Sequence, residues 1–560
     1  MYIIILKKEG CYMKLKNVVA SLAVGVLAFS PMHVYADDTV YATDANGTNY
    51  TSIEDAWNAA CSGVEITMQQ DWMTSDRLIV GDSQNVTIEM NGHKIDRNLW
   101  VDYVSDGEVI YLSENSTLTL NGNKAPNTQF TFWGADNEEE GIQITTTNGG
   151  IITGGQSTNG AGGVHMKANS TLNINNVGIV GNTAGSASEH EEGGGVNMNN
   201  DNCTIHMTNN AQISHNCAKN GAGVYVDGQN CVIEMNNSKM YNNYAYGNGG
   251  AIYSNRDATY VNMSNGSKIT TNSSRGLGGA IYFDNDYCQI KSVDTTSSIS
   301  NNYAYNDGGA IYMASSGEGD NRVIQNVTFE SNQAEKGKGG AIYCNLDNFN
   351  IDGCIFKSNT TQNGGALYLD GDNITVSNCK ITENRADNEG GGIYNNNANT
   401  ISNCTITNNS CGNEGGGIYE VEDEDITLSG KCTINNNKRG DKKKLDQGSN
   451  DDLFLENTWL HTAYIKGEVS TDSNVGIRTA SDDEVQIGTD ISSDCSSAFF
   501  LNDSGEYHVS YESSKLYKRT GLTGSIFGNG NVMMIGGICA VIIVAGVVAI
   551  IIKKKKSVNN

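Results

Sequence analysis

The sequence predicts an all-β parallel β-helix, a solenoid of short strands, on the evidence of repeats, spacing and residue alternation. A Gly-Gly-Ala-Ile-Tyr motif stands in full at residues 249–253, 278–282, 308–312 and 339–343. Close variants extend it to ten copies spaced 25–32 residues apart, and a fixed period of about 20–50 residues indicates a repeat architecture. Between the motifs, β-branched residues alternate with polar ones and no 3.6-residue period appears, which favours strands over helices.

Each repeat carries a second marker, an asparagine that follows an apolar residue by three positions. The ten asparagines are Asn182, Asn216, Asn243, Asn272, Asn302, Asn332, Asn359, Asn384, Asn409 and Asn437. Because the coils of a solenoid stack at the inter-strand spacing of about 4.8 Å, we expect these residues to lie above one another. An Asn amide has a donor end and an acceptor end, so the column should form a structural ladder of hydrogen bonds from coil to coil.

A tyrosine follows the aliphatic residue of the first marker in eight of the ten copies. The eight are Tyr225, Tyr253, Tyr282, Tyr312, Tyr343, Tyr368, Tyr394 and Tyr419. Alternation along a strand sends the aliphatic residue inward and the tyrosine outward. The column then has two interpretations. The rings stabilise one another by stacking, worth about 0.5–1.5 kcal/mol for each pair, or they form a contact strip for sugar rings or a partner.

The two markers together carry a resemblance to known families. The Gly-Gly-Ala-Ile motif and the Phe-x-x-Asn motif, the latter strict at residues 329–332 and 356–359, resemble the repeats of chlamydial polymorphic membrane proteins, which are adhesins. The general form resembles the right-handed parallel β-helix proteins of the pectin-lyase-like class, including bacterial surface proteins. The resemblance covers residues 164–437 and implies a right-handed solenoid of bacterial type, without specifying a ligand.

The two ends of the chain predict export and membrane anchoring. Residues 1–36 have the pattern of a signal peptide, with Met13 as an alternative initiator and cleavage between Ala36 and Asp37. Residues 532–552 carry no charge and are long enough to cross a bilayer core of about 30 Å. Four lysines follow directly, which places residues 553–560 in the cytoplasm. We therefore expect a single-pass membrane protein whose N-terminal body is extracellular.

The remaining segments complete the expected domain order. Residues 37–63 form an N-terminal cap around one short helix, because Ser52 and Asp55 stand at capping-box spacing. The β-helix repeats occupy residues 64–437, and residues 438–519 form terminal coils and a C-terminal cap. Residues 520–531 link this body to the membrane segment. Caps are expected because the end coils of a solenoid otherwise offer unpaired strand edges to other chains.

Two glutamates and one tripeptide are candidate functional residues. Glu389 and Glu414 stand in the same phase of adjacent repeats, and coil stacking could place them about 5 Å apart, the separation that retaining glycosidases use. Solvated like charges are the favoured interpretation and an adventitious calcium site the next, because nothing in the chain separates their environments. Arg439, Gly440 and Asp441 resemble an integrin-recognition motif, a weak signal in a chain of this length.

The cysteines and histidines give no pattern typical of a metal site. Twelve of the 14 cysteines lie between the signal peptide and the membrane segment, and Cys354, Cys379, Cys404 and Cys432 occupy the same phase of successive repeats. We expect buried thiols that act as small core residues, with one disulfide among them left open. The histidines show no ligand spacing and are interpreted as ordinary polar residues; they include His165, His190, His206 and His215.

Charge and motif content then limit the function. The net charge of −27 disfavours a nucleic-acid partner, since a phosphate backbone needs a basic face. No cofactor is expected. The sequence predicts a non-catalytic, adhesin-like scaffold that binds an extracellular or cell-wall glycan or the surface of a host or neighbouring cell. The alternative is a polysaccharide lyase or glycoside hydrolase that acts on wall or extracellular polysaccharide.

Overall fold

A computed structural model describes residues 39–99, 104–133, 143–185, 191–284, 286–314, 322–421, 424–440, 448–456, 465–480, 484–502 and 507–520. The chain divides into two units, Met1–Thr39 and Val40–Asn560. All the elements given below belong to the second unit. The signal-cleavage residues Ala36 and Asp37 lie outside the described residues, as does the predicted membrane segment at residues 532–552.

The described residues form an all-β solenoid of about 13 turns, as the repeats predict. Its strands pair parallel from coil to coil in sheets of 19, 28 and 12 strands. Each regular coil contributes four strands, one more than the three short strands that the sequence indicates. The extra strand is two residues long, too short for an alternation pattern to reveal it.

The strands of the ten regular coils occupy the same phase of each repeat. The first strands are Val164–Met166, Val196–Met198, Val224–Val226, Ile252–Ser254, Ile281–Phe283, Ile311–Ala314, Ile342–Asn345, Leu367–Leu369, Ile393–Asn395 and Ile418–Glu420. The second strands are Thr171–Asn175, Thr204–Thr208, Val232–Asn236, Thr259–Ser264, Cys288–Ser292, Val323–Gln325, Asn350–Asp352, Thr375–Ser377, Thr400–Ser402 and Ile426–Ser429. The third strands are Gly178–Val180, Gln212–Ser214, Lys239–Tyr241, Lys268–Thr270, Ser298–Ser300, Thr328–Glu330, Ile355–Lys357, Lys380–Thr382, Thr405–Thr407 and Thr433–Asn435. The fourth strands are Thr183–Ala184, Cys217–Ala218, Tyr244–Ala245, Ser273–Ser274, Tyr303–Ala304, Gln333–Ala334, Thr360–Thr361, Arg385–Ala386, Ser410–Cys411 and Lys438–Arg439.

The N-terminal coils are less regular and include one helix. Their strands are Ala42–Asp44, Asn49–Tyr50, Ile66–Met68, Trp72–Met73, Leu78–Val80, Asn85–Glu89, Lys94–Asp96, Ile110–Leu112, Thr117–Asn121, Ile151–Thr153 and Gln156–Ser157. The predicted helix is present at Ile53–Cys61, and the Ser52 side chain accepts the Asp55 backbone N–H as an N-cap. Trp57 on its buried face donates its indole N–H to the carbonyl of Ile79 at 3.0 Å. Its role as a cap of the solenoid stays a prediction.

Antiparallel strands occur at both ends of the described body. Ala42–Asp44 pairs antiparallel with Asn49–Tyr50 and with Ile66–Met68. The C-terminal elements are the strands Ser449–Asn450, Leu453–Leu455, Ile465–Lys466, Asn474–Thr479, Val485–Thr489, Phe499–Leu501, Tyr507–Glu512 and Lys515–Thr520, with a 3-10 helix at Ser493–Ala498. Of these, Val485–Thr489, Lys515–Thr520 and Tyr507–Glu512 form an antiparallel group. No helix among the described residues is both long and apolar enough to span a membrane.

An antiparallel hairpin that the sequence analysis missed interrupts the parallel coils. Its strands are Thr128–Trp133 and Gln143–Asn148. Phe130 and Phe132 pack on Ile151 and Val180, and Thr146 Oγ1 donates to Gln212 Oε1 at 2.9 Å. The hairpin therefore covers part of the outer surface of the early coils. The alternation of polar residues with Phe130 and Phe132 was the signal that could have predicted it.

The asparagine column forms the ladder that the sequence predicts, and all ten side chains are buried. In each pair the Oδ1 of one asparagine accepts two bonds from the asparagine of the preceding coil, from its backbone N–H and from its Nδ2, at 2.9–3.2 Å. The Nδ2 also donates to a main-chain carbonyl of the coil before it; Asn332 Nδ2, for example, lies 2.9 Å from Ile299 O. Every amide is thus satisfied on both sides of its coil.

The left-handed backbone conformation at this corner belongs to the residue before the ladder asparagine and not to the asparagine itself. Examples are Thr271 (φ 54°), Asn301 (φ 55°) and Glu383 (φ 60°). Asparagine tolerates this conformation, but it is unfavourable for residues such as threonine and glutamate. The buried amide bonds of the next residue hold the corner in this shape.

We expect Asn332→Ala to lower the free energy of unfolding by roughly 2–4 kcal/mol, because it leaves the amide groups of its ladder neighbours buried without partners. Chemical denaturation followed by circular dichroism measures the change. Asn306→Ala is the matched control, since Asn306 is exposed. Equal stability of the two variants would contradict the structural role of the ladder.

Candidate functional site

The eight predicted tyrosines form one continuous stack, which Phe454 extends to nine rings. Consecutive centroids lie 4.5–5.4 Å apart and consecutive planes differ by 1–28°. The strands that carry the rings pair in register, for example Tyr253 opposite Tyr282. We call these nine residues the tyrosine column. Its regularity follows from one ring for each coil at the coil spacing.

An arginine lies at each end of this line of outward residues. At the C-terminal end, Arg478 takes the next position after Phe454, and its Cζ lies 4.4 Å from the centre of the phenyl ring. At the N-terminal end, Arg77 lies over Tyr111 at 4.7 Å, and Tyr111 stacks on His165 at 5.2 Å. Cations over ring faces are favourable, so Arg478 closes the C-terminal end of the tyrosine column. At the other end Asn197 lies in register between His165 and Tyr225 and separates the group of Arg77, Tyr111 and His165 from the column.

Stacking determines which part of each ring a ligand can reach. A ring in the middle of the tyrosine column has a neighbouring ring on both faces, so it presents only its edge and its hydroxyl outward. Tyr368 is 4% exposed and Tyr343 is 8% exposed. A sugar therefore cannot lie flat on an internal ring. The contact strip stays a prediction, and a ligand there would meet hydroxyls and the carboxylates beside them.

The hydroxyls of the column are neutral and can donate hydrogen bonds. Burial, reinforced by nearby carboxylates, raises the pKa of Tyr253 to about 12 and raises the pKa of Tyr343 further. The Tyr343 hydroxyl donates to Asp370 Oδ2 at 2.6 Å. Asp227, Asp284 and Asp370 each stand two positions after a tyrosine of the column. Phenol edges and carboxylates thus run side by side along the coils.

The structure gives the two glutamates of the catalytic hypothesis different partners. Glu389 Oε1 accepts from Asn413 Nδ2 at 2.9 Å. Glu414 accepts from Arg439 Nη1 at 3.1 and 3.2 Å and also pairs with Arg478. Two guanidinium groups offset the charge of Glu414, so the arrangement favours an ion-pair cluster over a pair of carboxylates that share a proton.

Arg478 connects the ion pairs of Glu414 to a carboxylate inside the solenoid. Its Nε donates to Asp451 Oδ1 at 2.9 Å, and Asp451 is fully buried. The Gly415 backbone N–H also donates to Asp451 Oδ2, at 2.7 Å. Sequence analysis missed Asp451 and Arg478 because they follow the last regular repeat.

The Arg-Gly-Asp motif is only partly described. Arg439 belongs to a fourth strand and its guanidinium is bound to Glu414, while Asp441 lies outside the described residues. The recognition hypothesis stays a prediction. It would require a partner that displaces Glu414 from Arg439.

The cysteines are free thiols in the described part of the chain. Cys354, Cys379, Cys404 and Cys432 stack on four successive coils inside the solenoid, as expected. Each donates to a carbonyl of the preceding coil, for example Cys404 Sγ to Val376 O at 3.4 Å. Burial raises the pKa of Cys432 to about 11, which keeps the thiol protonated. These groups behave as core residues rather than nucleophiles.

Metal binding has no support among the described residues, where no group of three or more His, Cys, Asp and Glu side chains is arranged to hold an ion. Two histidines are more buried than their interpretation as ordinary polar residues implies. Burial lowers the pKa of His165 and of His215 to about 4. His215 lies against Phe132 of the hairpin and against Tyr241, so its role is packing.

Glu420 is a buried carboxyl group that the sequence analysis did not single out. It occupies an inward position of a first strand, where the neighbouring coils carry Asn395 and Leu455. Its Oε2 accepts from Asn395 Nδ2 at 2.8 Å, while its Oε1 is buried without a hydrogen-bond partner. Burial, with a smaller effect from the carboxylates of Asp425 and Glu424, raises its pKa well above the ordinary range.

Comparison with known proteins supports the fold alone. Residues 290–458 match the family model described as a right handed beta helix region. No curated protein matches the chain. Taken with the parallel solenoid, the match supports a right-handed β-helix protein. The likeness to chlamydial repeats and the bacterial origin stay predictions.

We expect Glu414→Gln to destabilise the protein by roughly 1–2 kcal/mol, because it weakens charge-assisted bonds to Arg439 and Arg478. Glu389→Gln is the control at the same repeat phase, and its effect should fall within about 0.5 kcal/mol. Thermal denaturation ranks the variants. A larger loss for Glu389→Gln would contradict the ion-pair assignment.

We expect Glu420→Gln to be more stable than the original chain at neutral and alkaline pH. The pKa of Glu420 is higher in the folded state than in the unfolded state, so its contribution to stability is present at acidic pH and lost as pH rises towards the folded value. At pH values above the ordinary range of a glutamate pKa, the free energy of unfolding of Glu420→Gln should exceed that of the original chain by more than about 1 kcal/mol.

Denaturation at pH 5 and pH 8 would test this, using Glu114→Gln as a control because Glu114 is exposed. A Glu420→Gln gain that does not grow with pH would contradict the assignment of Glu420 as a neutral buried acid.

Proposed function

We propose that this chain is a membrane-anchored, cell-surface scaffold that binds an extracellular or cell-wall glycan, or a neighbouring surface, without changing it chemically. The observation that carries the proposal is the in-register repetition of outward groups on a solenoid held by the asparagine ladder. A repeated ligand can meet equivalent groups on successive coils, and several weak contacts on one rigid support add to a useful affinity. Polymers with a repeating unit are the ligands that suit such a surface.

Two further points support binding over catalysis. Glu414, one of the two weak catalytic candidates, is bound to Arg439 and Arg478, and the stacked thiols of Cys354, Cys379, Cys404 and Cys432 are buried. The resemblance to repeats of bacterial adhesins favours a surface role. The predicted signal peptide and the segment at residues 532–552 would place the solenoid outside the cell, attached by its C-terminal end.

The alternative, a polysaccharide lyase or glycoside hydrolase, requires an acid and a base in distinct environments. Among the described residues, the strongest environmental contrast is at Glu420, which lies inside the solenoid and beyond the reach of a polymer. The alternative is therefore the weaker of the two proposals.

We expect the full chain to be retained on a column of immobilised cell-wall glycan and to leave the glycan intact, because binding without chemistry creates no new chain ends. Retention is measured by elution volume, and bond cleavage by the number of reducing ends and of unsaturated sugars after prolonged incubation. New ends would favour the enzyme. Absence of retention on every glycan tested would overturn the glycan-binding proposal.

A further inference from the structure

A row of short side chains runs beside the tyrosine column, two positions after each tyrosine. The Asp284 backbone N–H donates to the Ser254 carbonyl of the preceding coil at 2.9 Å, and Ala314 lies opposite Asn345, so the coils stay in register here. Every position but one carries a carboxylate or an amide. We call the following seven residues the acid-amide row: Asp227, Asn255, Asp284, Ala314, Asn345, Asp370 and Asn396.

The three aspartates of the acid-amide row differ in their partners. Asp227 accepts from Arg256 Nε at 3.0 Å, and Asp370 accepts from Asn396 Nδ2 at 2.6 Å. Asp284 is exposed, and its carboxylate has no hydrogen bond or ion pair in the described part of the chain. The coil that follows Asp284 carries a methyl group in the row, where other coils carry a polar group that could serve as a partner.

Three hydroxyl groups of the tyrosine column lie on the same stretch of the solenoid as Asp284. They belong to Tyr253, Tyr282 and Tyr312, whose ring centroids lie 4.8 and 5.2 Å apart. None of the three hydroxyls is bonded to another described residue, and none is among the buried polar atoms that lack a partner. Each hydroxyl therefore reaches solvent, and the stack holds one of them on each coil.

Carboxylates dominate the charge around these hydroxyls. Burial, followed by the charges of Asp307, Asp284 and Asp370, raises the pKa of Tyr312. Asp307 Oδ1 accepts the backbone N–H of Lys338 at 2.8 Å, which occupies that oxygen within the protein. The hydroxyls thus stay protonated and can donate hydrogen bonds, while the carboxylate beside them remains available to a cation.

The cations near this stretch already have partners in the protein. Arg256 pairs with Asp227 at 3.0 Å, on the side away from the unpartnered carboxylate. Lys338 Nζ lies 4.4 Å from the centre of a ring further along the tyrosine column. Arg322 is buried and pairs with Asp286 at 3.3 Å. The net charge of −27 adds a general attraction for positive ligands and repels polyanions.

We propose that Asp284, together with the hydroxyls of Tyr253, Tyr282 and Tyr312, binds a glycan that carries a protonated amine, as in a polymer of unacetylated hexosamine. The ammonium group pairs with the Asp284 carboxylate in a charge-assisted hydrogen bond, which is stronger than one between neutral groups. Sugar hydroxyls exchange hydrogen bonds with the phenol hydroxyls, which both donate and accept.

The repeat of the solenoid suits a linear glycan. Its coils repeat at about 4.8 Å, close to the length of one pyranose in an extended chain, so three successive sugars meet three successive hydroxyls. The glycan then runs along the edge of the tyrosine column and needs no access to the ring faces. This inference rests on the proposed binding function and names the ligand class and the residues that contact it.

The test measures binding of a glucosamine trisaccharide to the full-length chain by titration calorimetry, at a weakly acidic pH that keeps the amines protonated. The N-acetylated trisaccharide is the matched ligand, because acetylation removes the charge and retains the ring hydroxyls. We expect the acetylated form to bind roughly tenfold more weakly, as expected for loss of a charge-assisted bond.

Asp284→Asn should weaken binding of the glucosamine trisaccharide roughly tenfold. Its thermal midpoint should be unchanged, since the carboxylate has no partner to lose. Asp372→Asn is the matched control, because Asp372 is also an exposed aspartate and the substitution makes the same change in net charge. Its affinity should equal that of the original chain.

Tyr282→Phe tests the hydroxyl contacts, because it removes one hydroxyl and keeps the ring in the stack. It should weaken binding roughly three- to tenfold, the effect of one hydrogen bond. Tyr419→Phe makes the same change at the far end of the tyrosine column, where Tyr419 is 7% exposed, and should leave the affinity unchanged. Equal affinities of these two variants would overturn the hydroxyl contacts.

The outcomes separate this inference from the proposed function. If immobilised cell-wall glycan retains the chain but the two trisaccharides bind equally or not at all, the amine assignment is overturned and glycan binding stands. If Asp284→Asn and Asp372→Asn bind alike, the site is wrong. If a lysine tripeptide binds through Asp284 more tightly than the trisaccharide, the glycan class is wrong. If the chain binds no glycan, the proposed glycan function and this inference fail together.

Discussion

The hydrogen bonds between successive asparagine side chains are the constraint on which the rest of the structure depends. Each buried amide links three coils: its Oδ1 accepts from the asparagine of the preceding coil, and its Nδ2 donates to a carbonyl of that preceding coil and to the asparagine Oδ1 of the following coil. Such a bond network tolerates almost no slip, because a displaced amide would leave donors and acceptors buried and unsatisfied. The ladder therefore holds every other column, inside and outside, in vertical register. The tyrosine stack and the row of thiols are consequences of that register.

In this solenoid, a side chain that recurs on every coil is covered by its neighbours and is less accessible to a ligand. Where every coil carries a tyrosine, each ring covers its neighbours and the column becomes part of the body. Where the repeat is broken, as at Glu420 and Arg478, a buried acid or an ion pair appears. The residues that depart from the consensus are thus the informative ones for function. A functional interpretation is usually given to the residues that recur in every repeat, whereas here the residues that break the pattern are the better candidates.

Sequence analysis could predict the features that recur at the same position of every repeat. The solenoid, the ladder at Asn182 to Asn437, the outward tyrosines and the stacked thiols all follow from residues that recur at one phase. It could not predict the hairpin around Phe130, since that hairpin occurs once and pairs antiparallel. Nor could it distinguish Glu389 from Glu414, because their difference arises from Arg439, at the end of the last repeat, and from Arg478, which lies beyond the repeats. Asp451 was missed for the same reason. The membrane segment at residues 532–552 and the cleavage at Ala36 stay predictions.

The end of the ladder has a consequence for how such a chain can change in length. Asn437 donates both its backbone N–H and its Nδ2 to Asp452 Oδ1, at 2.7 and 2.9 Å, and Asp452 Oδ2 accepts from Asn502 at 2.8 Å. The Asp452 backbone N–H in turn donates to Asn502 Oδ1 at 3.1 Å, so one carboxylate and one further amide complete the series. Whole coils can therefore be duplicated or deleted upstream while the same terminus still fits. Duplication or deletion of one repeat in the gene would then lengthen or shorten the solenoid by one whole turn.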